Sequence, residues 1–207
     1  MSFLTGTQAE LLYAMPATGG SVTGTVSTGG TAQLLTPANG ATTPAFLLPA
    51  YFFPDTYGVS RSLLIQGGGT LLNGATTQNV RFALYLDTTA GTQITSSPGG
   101  LLCSTGLFSP FGTTVSTTGA FMFEVLVTAT SVGTNATLNT VGKLVTSAAG
   151  NPTTTMNTTG PSLLMQSATQ PTFNSSTAYF IDMFCYFGAT TTTQACTLTN
   201  FYVWGLN

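Results

Sequence analysis

Residues 80–87 read VRFALYLD, and the order of side chains in that octet decides the fold class. Val80, Phe82, Leu84 and Leu86 alternate with Arg81, Ala83, Tyr85 and Asp87, a period of two that sets four apolar side chains on one face and predicts a half-buried strand. The pattern recurs downstream. Phe121, Phe123, Val125, Val127 and Ala129 share a face, with Met122, Glu124, Leu126, Thr128 and Thr130 opposite, which predicts a long central strand. Tyr179 to Phe187 (YFIDMFCYF) is apolar on both faces except for Asp182, so one face is expected to meet its own core and the other a neighbour, such as a second subunit. Cys196 to Leu206 (CTLTNFYVWGL) predicts a further, ordered strand.

Ser60 to Leu72 and Asn135 to Thr146 read as strands too, the first interrupted by Gly67, Gly68 and Gly69, which mark a bulge or a close backbone approach. Gly, Pro, Asn, Ser and Thr clusters such as 150–160 and 188–194 separate these segments as loops. About eight strands joined by connections of about 5 to 20 residues fit an all-β jelly-roll β-sandwich better than an up-and-down barrel with tight hairpins. This sandwich is expected over residues 60–207. Residues 1–59 differ: a first strand or short helix at Phe3 to Ala14, a Gly/Thr tract to Gly40, then the Pro-bracketed PAFLLPAYFFP. They read as an extended N-terminal arm that orders on a neighbouring subunit, or as added edge strands of the same domain.

Composition agrees. Charged residues make up 4% of the 207-residue chain, against roughly 25% in an ordinary soluble domain, and about one residue in five is Thr. Thr is β-branched and suits a pleated strand, while the 24 Gly and 10 Pro residues break the chain into short segments. A net charge of −2 gives little repulsion between copies, so association is the expected working state.

The same counts exclude chemistry. With no His, the Ser/His/Asp and Cys/His arrangements and His-ligated metals are out of reach, and no catalytic, cofactor or metal site is expected. Asp87, Glu124 and Asp182 lie on three predicted strands where two of them could meet as a carboxylate pair; a lone buried acid bonded to backbone, Arg61 or Arg81 is the expectation. Three scattered basic residues form no patch for phosphates, so no direct nucleic-acid partner is expected. Gly67–Gly69 lacks the Lys-Ser/Thr of a phosphate loop. The first sixteen residues, with Glu10 and no basic start, do not read as a signal peptide, and the apolar run 45–54 is broken by Pro49, so neither secretion nor a membrane anchor is expected. Cys103, Cys185 and Cys196 have no metal-ligand spacing and read as reduced core cysteines made in a cytoplasm.

The C-terminal stretch YFIDMFCYFGATTTTQACTLTNFYVWGLN, residues 179–207, resembles structural proteins of tailed bacteriophages, and NVRFALYLD and AFMFEVLVTATSVGT look like their inner strands, so the likeness covers about residues 60–207. Where such proteins often carry a Glu in the last strand, this chain has Trp204. The resemblance implies a jelly-roll trimer of the virion: a decoration or cement protein on the capsid exterior, partnered by the phage major capsid protein. A head or tail fibre module that binds a receptor or glycan is the alternative, and a single-jelly-roll major capsid protein a weaker one. With 14 Phe and 7 Tyr, aromatics exceed what one core needs. Phe46, Leu47, Leu48, Tyr51, Phe52, Phe53, Tyr57, Phe108 and Phe111 lie among turn residues and are the candidate interface anchors, with satellite core clusters as the other reading.

Overall fold

The computed structural model describes residues 9–15, 21–24, 32–36, 45–53, 61–72, 79–91, 100–110, 118–148, 162–167, 169–188 and 194–206. Thirteen strands run through them: β1 (Ala9–Ala14), β2 (Ser21–Gly24), β3 (Gln33–Leu34), β4 (Leu47–Leu48), β5 (Ser62–Leu72), β6 (Val80–Asp87), β7 (Gly100–Ser104), β8 (Thr118–Ala129), β9 (Ala136–Ala148), β10 (Ser162–Met165), β11 (Thr172–Phe173), β12 (Tyr179–Phe187) and β13 (Gln194–Leu206). No helix occurs among the described residues.

The strands form a larger sheet in the order β1-β13-β5-β8-β9-β10 and a smaller one in the order β3-β12-β6-β7. Followed along the chain, β1, β3, β5, then the pair β6 and β7, then β8, β12 and β13 cross repeatedly between the sheets. The rows β1-β13-β5-β8 and β3-β12-β6-β7 that result are the two interlocked Greek keys of a jelly roll. The hairpin partner β9 and then β10 extend the larger sheet beyond β8. Every ladder among the described residues is antiparallel, and β8 is central as its pattern predicts.

Between the sheets the inward halves of the alternating strands meet. Phe82 of β6 lies 4.7 Å from Phe121 of β8, and Phe123 lies 6.2 Å from Phe201 of β13. Each large side chain taken fully out of water there contributes about 1.5–3 kcal/mol. The Phe123 ring occupies the space that a Cβ on Gly67 would need, since that atom would sit 2.6 Å from the ring. A close approach of ring to backbone is therefore what the glycine run permits.

Two expectations are corrected. β6 is not half-buried: Ala83, Tyr85 and Asp87 on its outward face are buried too. The outward face of β12 does not lie open for a subunit, because Phe184 packs edge-to-face on Tyr85 at 5.4 Å, with Ala32, Leu34 and Leu101 around them. Both follow from one satellite cluster on the smaller sheet. Before residue 60, β1 and β2 pair with β13, and β3 and β4 with β12; Met15 and Leu35 are buried in the main core.

Candidate functional site

Among the described residues, the outward face of the larger sheet exposes large apolar side chains from several strands. Register aligns its side chains in rows across the strands, because directly paired residues point to the same side. One row runs Leu11, Trp204, Leu64, Leu126 and Val141 over β1, β13, β5, β8 and β9. Leu11, Leu126 and Val141 are 47%, 38% and 53% exposed. The next row runs Tyr202, Gln66, Glu124, Lys143 and Leu164. Here Gln66 Nε2 donates to Glu124 Oε2 at 2.9 Å, and Lys143 Nζ lies 3.8 Å from Glu124 Oε1. Beside this row, Gly68 carries no side chain between Asn200 and Met122, which opens a shallow cleft of about 330 Å³ walled by Gln66, Met122, Glu124, Asn200 and Tyr202. The Thr199 hydroxyl donates to the Gly68 carbonyl at 3.0 Å and holds the floor in place at a bulge in β13.

A second exposed apolar group lies at one end of the sandwich. Tyr51 N–H donates to the Ser175 carbonyl, and Gly133 N–H to the Ser175 hydroxyl, so the 45–53 segment and the β8–β9 turn flank one buried serine. Tyr51 is 66% exposed and sits at φ 60, a backbone region that few non-glycine residues adopt. Val132, next to Gly133 in the β8–β9 turn, is exposed as well.

The candidate anchors divide. Leu47 and Tyr51 are exposed, and Phe46 is half-buried against Tyr13 at 5.4 Å. Leu48, Phe52, Phe53 and Phe108 are buried within the chain's own core, where they are not available to a second molecule. Phe53 stacks edge-on against Phe52 and Phe173, at 5.3 and 5.2 Å, which explains why a turn-rich segment carries such residues. Tyr57 and Phe111 lie outside the described residues. Sequence reasoning missed the open sheet face, although Met122 and Leu126 among the outward positions of β8 were its signal.

Two of the three acids on strands do meet. Asp87 and Asp182 share a hydrogen bond on the outward face of the smaller sheet, and both are wholly buried. Asp182 also accepts from the Thr36 hydroxyl at 3.1 Å and from Gly91 N–H at 2.6 Å. Burial pushes the Asp182 carboxyl up, opposed by the Gly91, Thr36 and Asp87 hydrogen bonds. The expected arginine partners are elsewhere: Arg81 lies over the Tyr186 ring at 5.0 Å and Arg61 over Phe52 at 5.6 Å. Acids in hydrogen-bond contact and closed to solvent leave no room for a sugar, which glycosidase pairs hold between carboxyls about 5 to 10 Å apart. This pair is structural.

The fold and surface define a jelly-roll β-sandwich with an open, charge-poor sheet face. No family model and no curated protein matches the chain. Among solved structures it is similar to the infectious bursal disease virus Gx strain structure, at 12% identity and TM-score 0.32, over 96% of this chain and 42% of that one. It is likewise similar to basic winged bean lectin solved with Tn-antigen, at 8% identity and TM-score 0.34, over 97% and 98%. Infectious bursal virus derived T=1 particles overlap at 12% identity and TM-score 0.25, over 96% and 40%. The chain thus spans less than half the length of the viral chains it matches. Overlaps this loose say nothing about what the chain binds.

Proposed function

We propose that this protein is a non-enzymatic structural component of a tailed-bacteriophage virion, a decoration protein that binds and stabilises the exterior of the capsid. The observation that carries the reading is a sandwich surface almost without charge that nevertheless exposes large apolar side chains, at the Leu47, Tyr51 and Val132 end and on the larger sheet. A lone soluble domain has little use for such a surface, whereas a protein held on a major capsid protein covers it. The Leu47 and Tyr51 end is the proposed capsid contact. Three free, buried cysteines suit synthesis in a host cytoplasm.

Contacts of apolar area and neutral hydrogen bonds leave salt little to screen. The test is co-sedimentation with undecorated capsids at low salt and at about 1 M, where charges more than about 3 Å apart are screened. Pelleting in both supports the reading, and a chain that stays in the supernatant in both overturns it. The sheet-face cleft favours a second reading, a glycan-binding fibre module, since Tyr202 beside Gln66, Glu124 and Asn200 combines an aromatic wall with amide and carboxylate groups. Glycan-array binding that Asn200→Ala abolishes, with no capsid binding, would establish that reading instead.

A further inference from the structure

We propose that the outward face of the larger sheet is the docking surface for a second copy of this chain, placed face to face about a two-fold axis that runs along the strands between β8 and β9. Its charges are self-complementary. The ion pair Glu124–Lys143 sits in the midst of apolar rows, with the acid on β8 and the base directly opposite on β9. A two-fold axis between those strands exchanges the two columns, so Glu124 of one copy meets Lys143 of the other, twice. The same rotation lays Leu126 on Val141 and Met122 on Val145, residues that are also directly paired across β8 and β9. Both charges lie near the middle of strands of 12 and 13 residues, so the roughly 30° turn between aligned packed sheets leaves them in contact.

Area agrees. β5 has 11 residues, which at about 3.3 Å each run about 36 Å. With β8, β9 and the four-residue edge strand β10 at spacings of about 4.8 Å, the footprint is of order 600 Å², about three quarters of the roughly 800 Å² per partner of a standard interface. An isologous pair also closes on itself and leaves no open face to propagate. The number of chains is then two, where the phage resemblance implies three. The pairing does not depend on the capsid: association of the free chain tests one, and capsid binding the other.

Sedimentation velocity with light scattering on the purified full chain tests it. The wild type is expected to be a dimer, and E124K and K143E each to associate at least about 100-fold more weakly, because like charges then face one another. An equimolar mixture of the two variants is expected to restore a dimer, since Lys at 124 meets Glu at 143 across the axis. Rescue by mixing also shows that both variants are folded, which far-UV circular dichroism of each alone checks again. A wild type that is monomeric or trimeric, single variants that remain dimers, or a mixture that does not re-form dimers overturns the proposal.

Discussion

Asp182 on β12 and Asp87 on β6 share a hydrogen bond with neither carboxyl reaching solvent. An ionised carboxylate only accepts, so that bond requires a proton on one of the two. Burial raises the Asp182 carboxyl above its ordinary range. The folded chain therefore holds its proton more tightly than the unfolded chain does. Stability is full below the ordinary carboxyl range and falls as pH rises from there through the folded value. The urea midpoint is expected to decline from about pH 4 toward neutrality. Asp182→Asn, with its amide nitrogen turned to the Thr36 hydroxyl, should flatten that decline; a slope of the same size in the variant would remove the assignment.

Gly69 is where β5 and β13 come too close for any side chain. A Cβ there would lie 1.8 Å from the Thr197 carbonyl oxygen, a backbone atom that cannot step aside. Gly69→Ala is expected to cost at least about 3 kcal/mol or to yield no folded protein, at the top of the range for overpacked cores. Gly106, at φ 68 with open space around it, is the contrast: Gly106→Ala should cost about 1 kcal/mol, from backbone strain alone. Equal thermal stabilities for the two variants would contradict this placement of β13 on β5.

Strands β6, β8, β12 and β13 were legible because each is long and its alternation or apolar run is unbroken. β7 was not, since Gly100–Ser104 is five residues that follow the turn-prone sequence Ser-Pro-Gly, and the two-residue strands β3, β4 and β11 have no period to read. β1 was open between strand and short helix; pairing with β13 resolves it. The sheet face was hidden for a different reason. Leu64, Leu126, Val141 and Trp204 form a row only in register, and register between strands distant in the chain is set by packing and turn geometry rather than by any one segment. Phe52 and Phe53 misled because their Pro-bracketed segment reads as loop, while the contact of Phe53 with the distant Phe173, and of Phe52 with Phe53, carries them into the core.

Tyr51 separates stability from binding. Its φ of 60 costs a residue with a Cβ about 1 kcal/mol or more, while its ring is mostly solvated and adds little to the fold. Tyr51→Gly is therefore expected to leave the melting temperature unchanged or to raise it by a few degrees, corresponding to about 1 kcal/mol or less. The same variant should lose most of its co-sedimentation with capsids. Retained capsid binding at full stability would move the contact away from this end of the sandwich.

The three thiols report on closure of the core. Cys103, Cys185 and Cys196 have no solvent exposure, and burial pushes Cys103 up to about 12 and Cys196 well above its usual value. Cys185 and Cys196 are in hydrogen-bond contact, which raises Cys196 further. At pH 8 a thiol near 12 is ionised in only about one molecule in ten thousand, and the thiolate is the species that reacts. Ellman's reagent is therefore expected to titrate none of the three over minutes in the native protein and all of them in denaturant. Prompt reaction of even one native thiol would mean that β7, β12 or β13 opens locally, at a free-energy cost far below that of global unfolding.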